Sequence, residues 1–200
     1  MIRISHLSLL PLFVFLSFLT NTGQLVFAKE QYNVKEACRV TRYPDLCIRS
    51  LEPFSHGSGR SLSGWARGGV SVTISEVKNV LAYLAKMKKQ GHFKGRNRAA
   101  LSDCVEVFQD ALDELHRSLG VLRKLSKSTF GTQLEDLMTW ISAALTDEDT
   151  CLDGFESSKE RKIKLLRNKV LKAQYITSNA LALVNKLGTT GLETIPDSDP

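Results

Sequence analysis

The chain has 200 residues, 42% of them hydrophobic, and its 27 Lys and Arg against 21 Asp and Glu give a formal net charge of +6. A chain of this length can bury its own hydrophobic core, which excludes a peptide that must complete its core with a partner. The positive charge is compatible with nucleic acid, with acidic polysaccharide or with solubility alone, and the amino-terminal segment decides among these.

Residues 1–28 have the composition of a secretory signal peptide. Arg3 precedes an apolar run at residues 7–19, and Ala28 offers a small residue for cleavage. The run spans 13 residues and contains Pro11, whereas a membrane-spanning helix needs about 20 apolar residues. We therefore expect cleavage after Ala28 and secretion of a soluble protein that keeps a positive net charge. This location excludes nucleic acid and membrane as partners.

Two short helices are predicted at residues 32–40 and 45–51, in the segment 29–53 that precedes the main body. They are separated at Tyr43-Pro44, because a residue that precedes proline disfavours the helical conformation. Together they form a small helical hairpin.

Four long amphipathic helices are predicted next, because residues 54–195 contain no proline and place apolar residues at alternating spacings of three and four. The apolar stripes cover residues 70–84, 101–122, 134–145 and 163–187. The turn-rich links between them are short, at residues 91–95, 126–131 and 154–158. Short links make neighbouring helices antiparallel.

The predicted fold is therefore all-α: an up-and-down antiparallel four-helix bundle at residues 62–188, preceded by the helical hairpin. Residues 189–200 show no periodicity and are expected to form a flexible tail.

Capping patterns suggest where the bundle helices begin and end. The first one begins between residues 62 and 70, because Gly64, Gly68 and Gly69 each weaken a helix by about 1 kcal/mol relative to Ala. Three further patterns are two capping boxes and one glycine that follows a helix: Thr132 with Glu135, Ser157 with Glu160, and Gly188.

Four cysteines follow the leader: Cys38, Cys47, Cys104 and Cys151. An even number in a secreted chain indicates two disulfides and no free thiol. Antiparallel packing brings Cys104, early in the second bundle helix, to the level of Cys151, near the end of the third. We therefore predict a Cys104–Cys151 bond, which leaves Cys38 and Cys47 to close the hairpin.

No pattern in the sequence is typical of an active site. His56, His92 and His116 lie far apart and lack metal-ligand spacing. Nucleophile-elbow, zinc-protease and phosphate-loop motifs are absent from the sequence, and the acidic tract around Cys151 lacks the residue offsets of a calcium-binding loop. We expect a protein that is not an enzyme and needs no metal or cofactor.

Basic residues are concentrated in two tracts. We interpret them first as solvated helix faces and, alternatively, as a surface that holds an anionic wall polymer. They are Lys86, Lys88, Lys89, Lys94, Arg96 and Arg98, and then Lys159, Arg161, Lys162, Lys164, Arg167, Lys169 and Lys172.

Six motifs extend over nearly all of the mature chain. They are Cys38-x-x-Thr41-x-Tyr43-Pro44-x-x-Cys47, Leu101-Ser102-Asp103-Cys104, Asp110-Ala111-Leu112-Asp113-Glu114-Leu115, Trp140-Ile141-Ser142-Ala143-Ala144-Leu145-Thr146, Asp149-Thr150-Cys151-Leu152-Asp153-Gly154-Phe155 and Thr177-Ser178-Asn179-Ala180-Leu181-Ala182. With these motifs the chain resembles the plant invertase and pectin methylesterase inhibitor family. The resemblance implies the same hairpin and bundle, the same two disulfides, and an inhibitor that acts without chemical reaction.

The resemblance also implies contact residues. Members that target pectin methylesterase lay the second, third and fourth bundle helices across the active-site cleft of the enzyme, and Thr150 occupies a contact position in such complexes. The other candidate partner-binding residues are Glu106, Asp110, Asp113, Thr146 and Asp147. An alternative interpretation of Thr150 is that its hydroxyl bonds merely to the carbonyl of the preceding helical turn.

Tyr43-Pro44 and residues 140–146 look more like the pectin methylesterase branch, and the Pro-Lys-Phe tripeptide of some invertase inhibitors is absent. We therefore expect a 1:1 complex with pectin methylesterase in the apoplast or cell wall, with acid invertase as the alternative target. The same domain also occurs as the pro-region of pectin methylesterases. Because no catalytic domain follows in the sequence up to Pro200, we expect an inhibitor and not such a pro-region. The remaining alternative is a non-inhibitory wall protein held to acidic pectin by its basic helices.

Overall fold

The computed structural model describes residues 33–55, 61–91, 93–155, 158 and 160–190. The predicted leader, Ser157 of the second capping box and residues 191–200 lie outside this part. Within it the chain forms six α-helices and no strand: α1 (Val34–Cys38), α2 (Pro44–Leu51), α3 (Leu62–Gln90), α4 (Gly95–Leu122), α5 (Phe130–Asp153) and α6 (Arg161–Thr190). Short 3₁₀ turns at Glu52–Phe54 and Lys127–Thr129 precede α3 and α5.

The four long helices pack in a ring, in which α3 contacts α4 and α6, and α5 contacts the same two helices. Each helix contributes fully buried side chains to one core, among them Val77, Phe108, Ile141 and Val170. Burying an apolar side chain of this size stabilises the fold by about 1.5–3 kcal/mol. The predicted all-α bundle is confirmed, and no helix of the described part is both long enough and apolar enough to span a membrane.

The hairpin of α1 and α2 packs on one end of the bundle through a smaller core, in which Leu51 meets Trp65 of α3 and Leu183 of α6. The Cys38–Cys47 disulfide lies in this cluster. The break at Tyr43-Pro44 is present as predicted, with Pro44 in the first turn of α2, where its missing N–H leaves no helical bond unmade.

Helix α3 begins at Leu62, the earliest of the predicted positions, because the Ser61 side chain accepts a hydrogen bond of 3.1 Å from the Gly64 N–H. Gly69 lies where α3 and α6 approach closely: a Cβ there would stand 3.1 Å from Leu183 Cδ1. The glycine that weakens the isolated helix therefore permits the close approach of α6.

Three predicted helix ends are wrong. The first is the capping box at Glu160, because Glu160 precedes α6, which begins at Arg161, instead of lying in its first turn. Helix α5 begins at Phe130, so Thr132 is an interior residue, and the link before α5 is closed by the Gln133 side chain, which bonds to both the Ser126 N–H and the Lys124 carbonyl at 3.0 Å. Gly188 lies inside α6, which continues to Thr190. It is a packing position, since a Cβ there would clash with the Leu134 side chain of α5.

Candidate functional site

The seam between α4 and α5 is held by the Cys104–Cys151 disulfide, whose Cα atoms lie 4.3 Å apart. Both sulfur-bearing side chains are buried, and this is the pairing predicted from antiparallel geometry. The bond fixes the two helices against each other one residue along the chain from the exposed Thr150. A seam fixed in this way loses little conformational freedom when a partner binds.

Thr146 and Thr150 are exposed one helical turn apart on α5. The Thr150 hydroxyl donates to the Thr146 carbonyl at 2.9 Å, and the Thr146 hydroxyl donates to the Ser142 carbonyl at 3.0 Å. The alternative interpretation of Thr150 thus describes the free chain correctly. It does not exclude a contact role, because each hydroxyl oxygen retains lone pairs that can accept a hydrogen bond from a partner.

The three candidate carboxylates of α4 are exposed. Glu106, Asp110 and Asp113 are spaced by four and three residues and therefore share one side of the helix. Burial, followed by the nearby negative charge of Asp110, raises the pKa of Asp147 on α5. Glu106 and Asp113 make no hydrogen bond or ion pair with any described residue. Asp110 and Asp147 are thus the two candidate carboxylates whose interaction the structure shows.

Glu114 is a member of this surface that sequence analysis missed. Burial, followed by the nearby Asp147 carboxylate, raises the pKa of Glu114 to about 7, against the opposing effect of Arg117. A hydrogen bond from the protonated Glu114 carboxyl to Asp147 further raises the pKa of Glu114 and opposes the rise in the pKa of Asp147. A signal was available, because Glu114 lies four residues after Asp110 and so faces the same seam.

Glu148 belongs to the acidic tract around Cys151, yet its side chain is completely buried between α5 and α6. Burial raises the pKa of Glu148 to about 8, the hydrogen bond from Thr177 opposes this shift, and Asp147 adds to it. The carboxyl therefore lies behind the exposed seam as a neutral group at acidic pH.

Residues of the first and last sequence motifs, Tyr43 and Asn179, connect the hairpin to α6. The Asn179 side-chain amide bonds to both the N–H and the carbonyl of Tyr43, at 3.1 and 3.0 Å. The Tyr43 ring stacks on Tyr175 with a centroid separation of 4.2 Å. These contacts explain why polar residues stand in the Thr177 to Ala182 motif, on a helix that otherwise packs through apolar side chains.

In the described part of the chain, no three His, Cys, Asp or Glu side chains are arranged to hold a metal ion. All four cysteines are in disulfides. The features that the structure brings together at the α4–α5 seam are hydroxyls and carboxylates on a rigid two-helix surface.

The family model for plant invertase/pectin methylesterase inhibitors matches residues 32–183. "Pectinesterase inhibitor 6" of Arabidopsis thaliana is 48% identical over 174 residues, which cover 86% of this chain and 83% of that protein. "Pectinesterase inhibitor 3" of the same plant is 37% identical over 163 residues, covering 78% and 80%.

The crystal structure of mutant form A of a pectin methylesterase inhibitor from Arabidopsis superposes with a TM-score of 0.63, at 20% identity, over 77% of this chain and 96% of that one. At this identity the likeness supports the fold alone. The family match covers more than half of the chain, so this protein belongs to the plant invertase/pectin methylesterase inhibitor family.

Proposed function

We propose that this protein inhibits pectin methylesterase by laying the α4–α5 seam, together with the side of α6 that adjoins α5, across the active-site cleft of the enzyme, in a 1:1 complex. The observation that carries the proposal is the 48% identity, over 86% of the chain, to a protein named as a pectinesterase inhibitor. The family is one of inhibitors and not of enzymes, which agrees with a seam that holds hydroxyls and carboxylates.

The dimensions of the seam suit this role. At 1.5 Å per residue, the 28 residues of α4 and the 24 residues of α5 extend for about 42 and 36 Å. A stable protein complex buries roughly 800 Å² on each partner, which two helices of this length can supply. Thr150, Thr146, Asp110 and Asp147 are the residues that we place at the contact, with Glu106 and Asp113 beside them.

Inhibition then requires no bond to be made or broken, because the bundle excludes pectin from the cleft. We propose that the protein acts in the cell wall after removal of residues 1–28, which the composition of that segment supports. Acid invertase remains the second candidate target, since the family named by the matching model contains inhibitors of both enzymes.

The decisive experiment titrates the oxidised mature protein against several pectin methylesterases and several acid invertases, following methanol and hexose release. We expect saturable inhibition of at least one pectin methylesterase at a stoichiometry of one. Inhibition of invertase alone would replace the first target by the second, and inhibition of neither enzyme would refute the proposal.

A further inference from the structure

The charges of the bundle are divided between its two halves. Helices α3 and α6 together carry twelve Lys or Arg and a single Asp or Glu, namely Glu76. Helices α4 and α5 carry three Lys or Arg and eleven Asp or Glu. Because α3 packs on α6 and α4 packs on α5, the α3–α6 seam lies opposite the α4–α5 seam. The modest net charge of the chain thus conceals a strongly basic face and a strongly acidic one.

Three lysines of α6 line the α3–α6 seam and are held by side chains of α3. The Lys172 Nζ lies 2.8 Å from Glu76 Oε2 and the Lys162 Nζ lies 3.0 Å from Gln90 Oε1. The Lys169 Nζ stands 5.3 Å from the centroid of the Tyr83 ring. These contacts hold Lys162 and Lys169 in place. Because Gln90 and Tyr83 are uncharged, neither of them neutralises the positive charge of its lysine.

The basic face continues to the end of the bundle where α3 ends and α4 and α6 begin. Exposed cations at this end are Lys86, Lys88, Lys89, Lys94, Arg96, Arg98, Arg161 and Lys164. A cavity of about 750 Å³ opens among them, with Lys88, Arg98 and Ser102 in its wall beside Phe93 and Leu101. From Lys172 to Lys162 the track covers roughly 15 Å of helix axis, and the cavity extends it.

We propose that the α3–α6 face binds a linear polyuronate, namely the demethylated pectin that the proposed target enzyme produces. The choice of ligand rests on the proposed function, since that enzyme turns neutral esters into a row of carboxylates. A row of fixed cations attracts such a chain over several ångströms, and this attraction weakens as salt screens the charges. The two faces are opposite, so the inhibitor holds its enzyme and the product of that enzyme at the same time.

Other polyanions match this face less well. Sequence-tolerant binding of single-stranded nucleic acid uses exposed aromatic rings for stacking, whereas Tyr83 on this face is covered by Lys169. An anionic membrane surface favours helices with an apolar side that can enter the lipid. Among the described residues of the track, Leu165 is the sole exposed large hydrophobic side chain.

The test measures retention of the mature, disulfide-bonded protein on immobilised polygalacturonate and on fully methylesterified pectin at several salt concentrations. The variant K86Q/K164Q removes two exposed cations that make no hydrogen bond or ion pair with the described residues. The control R123Q/K124Q removes the same charge at the opposite end of the bundle, where both side chains are exposed. We expect K86Q/K164Q to weaken polygalacturonate binding about tenfold, or about 1.4 kcal/mol, and the control to leave it within about twofold.

Both variants should inhibit pectin methylesterase like the parent, with unchanged circular dichroism. Equal losses in the two variants, equal binding to methylesterified pectin, or tighter binding to single-stranded DNA or anionic vesicles would each overturn the proposal. Loss of inhibition in K86Q/K164Q would also contradict it, because the faces would not be separate. A parent protein that binds polygalacturonate but inhibits no enzyme would refute the proposed function and leave this inference standing.

Discussion

The Thr177 hydroxyl oxygen lies 2.7 Å from Glu148 Oε1 and 3.0 Å from the Ala173 carbonyl oxygen. A hydroxyl has one hydrogen, so it can donate to one of these acceptors at a time. Both contacts are satisfied when Glu148 is protonated and donates to Thr177, while Thr177 donates to Ala173. An ionised Glu148 would accept the Thr177 hydrogen instead, which opposes the rise in its pKa but takes that hydrogen from the Ala173 carbonyl. Its buried Oε2, which has no hydrogen-bond partner among the described residues, would then be charged in the core.

This arrangement predicts that the inhibitor is most stable in acid. Glu148 has a pKa near 4.5 when unfolded and about 8 when folded, so between these values the folded state binds more protons and the free energy of unfolding falls as pH rises. The stabilisation that protonated Glu148 gives the folded state is complete below about pH 4.5 and is lost by about pH 8. Urea unfolding from pH 4 to 9 measures the decline.

The variant Glu148→Gln keeps a donor to Thr177 without a charge and should flatten this dependence. Glu114→Gln is the matched comparison, because the pKa of Glu114 is raised to about 7 and this variant should remove a separate, smaller part of the slope. If the free energy of unfolding of Glu148→Gln falls with pH as steeply as that of the parent, Glu148 does not control the pH dependence.

Replacing Thr150 by Trp should abolish inhibition of pectin methylesterase. The bulky ring would hold the α4–α5 seam away from the enzyme, and a central contact of this kind costs at least about 2 kcal/mol, or roughly thirtyfold in affinity. Inhibition constants measure the loss. Ser75→Trp, at an exposed position of α3, is the matched control and should inhibit normally. Full potency of Thr150→Trp would remove Thr150 from the contact surface.

The two disulfides should differ in their contribution to stability. In the chain-entropy model, loss of the Cys104–Cys151 bond costs about 4 kcal/mol because it closes a long loop, and loss of Cys38–Cys47 costs about 2.7 kcal/mol. The two double Cys→Ala variants can be compared by denaturant unfolding. A larger loss for the hairpin bond would show that its packing against Trp65 and Leu183, rather than loop length, decides its contribution.

Replacing Asn179 by Ala should release the hairpin from the bundle. The change removes two hydrogen bonds to the Tyr43 backbone, and leaving those half-buried groups unpaired costs about 1–3 kcal/mol. Hydrogen exchange should then quicken in α1 and α2 while the core of the bundle stays protected. Asn185→Ala, at an exposed position of the same helix, is the control. Uniform exchange across both variants would show that the hairpin is held by its apolar contacts alone.

The helices were predictable because apolar spacing reports which side of a helix faces the core. The break at Tyr43-Pro44 was predictable for a local steric reason. The ends assigned to Thr132 and Gly188 were not, since a capping sequence is outweighed when packing extends the helix. Gly188 is explained by Leu134, a neighbour more than fifty residues away that no local pattern identifies.

The candidate site was predictable in part. Asp147 and Glu148 are adjacent carboxylates, yet one lies at the α4–α5 seam and the other in the core. A helix turns by about 100° per residue, so adjacent side chains enter different surroundings, and the sequence gives no sign that a carboxyl can be buried against Thr177. The division of charge between the two halves follows from the sequence only after the pairing of the helices is known.

The bond between Asn179 and Tyr43 joins residues 136 positions apart, near the two ends of the described chain. At a synthesis rate of roughly 5–20 residues per second, the ribosome needs on the order of ten seconds to pass from one to the other. During that interval the amino-terminal hairpin can pack on Trp65 of α3 but lacks Leu183 and Asn179 of α6. The small core between the hairpin and the bundle is therefore completed only when α6 has been synthesised, so the last long helix closes the first part of the chain.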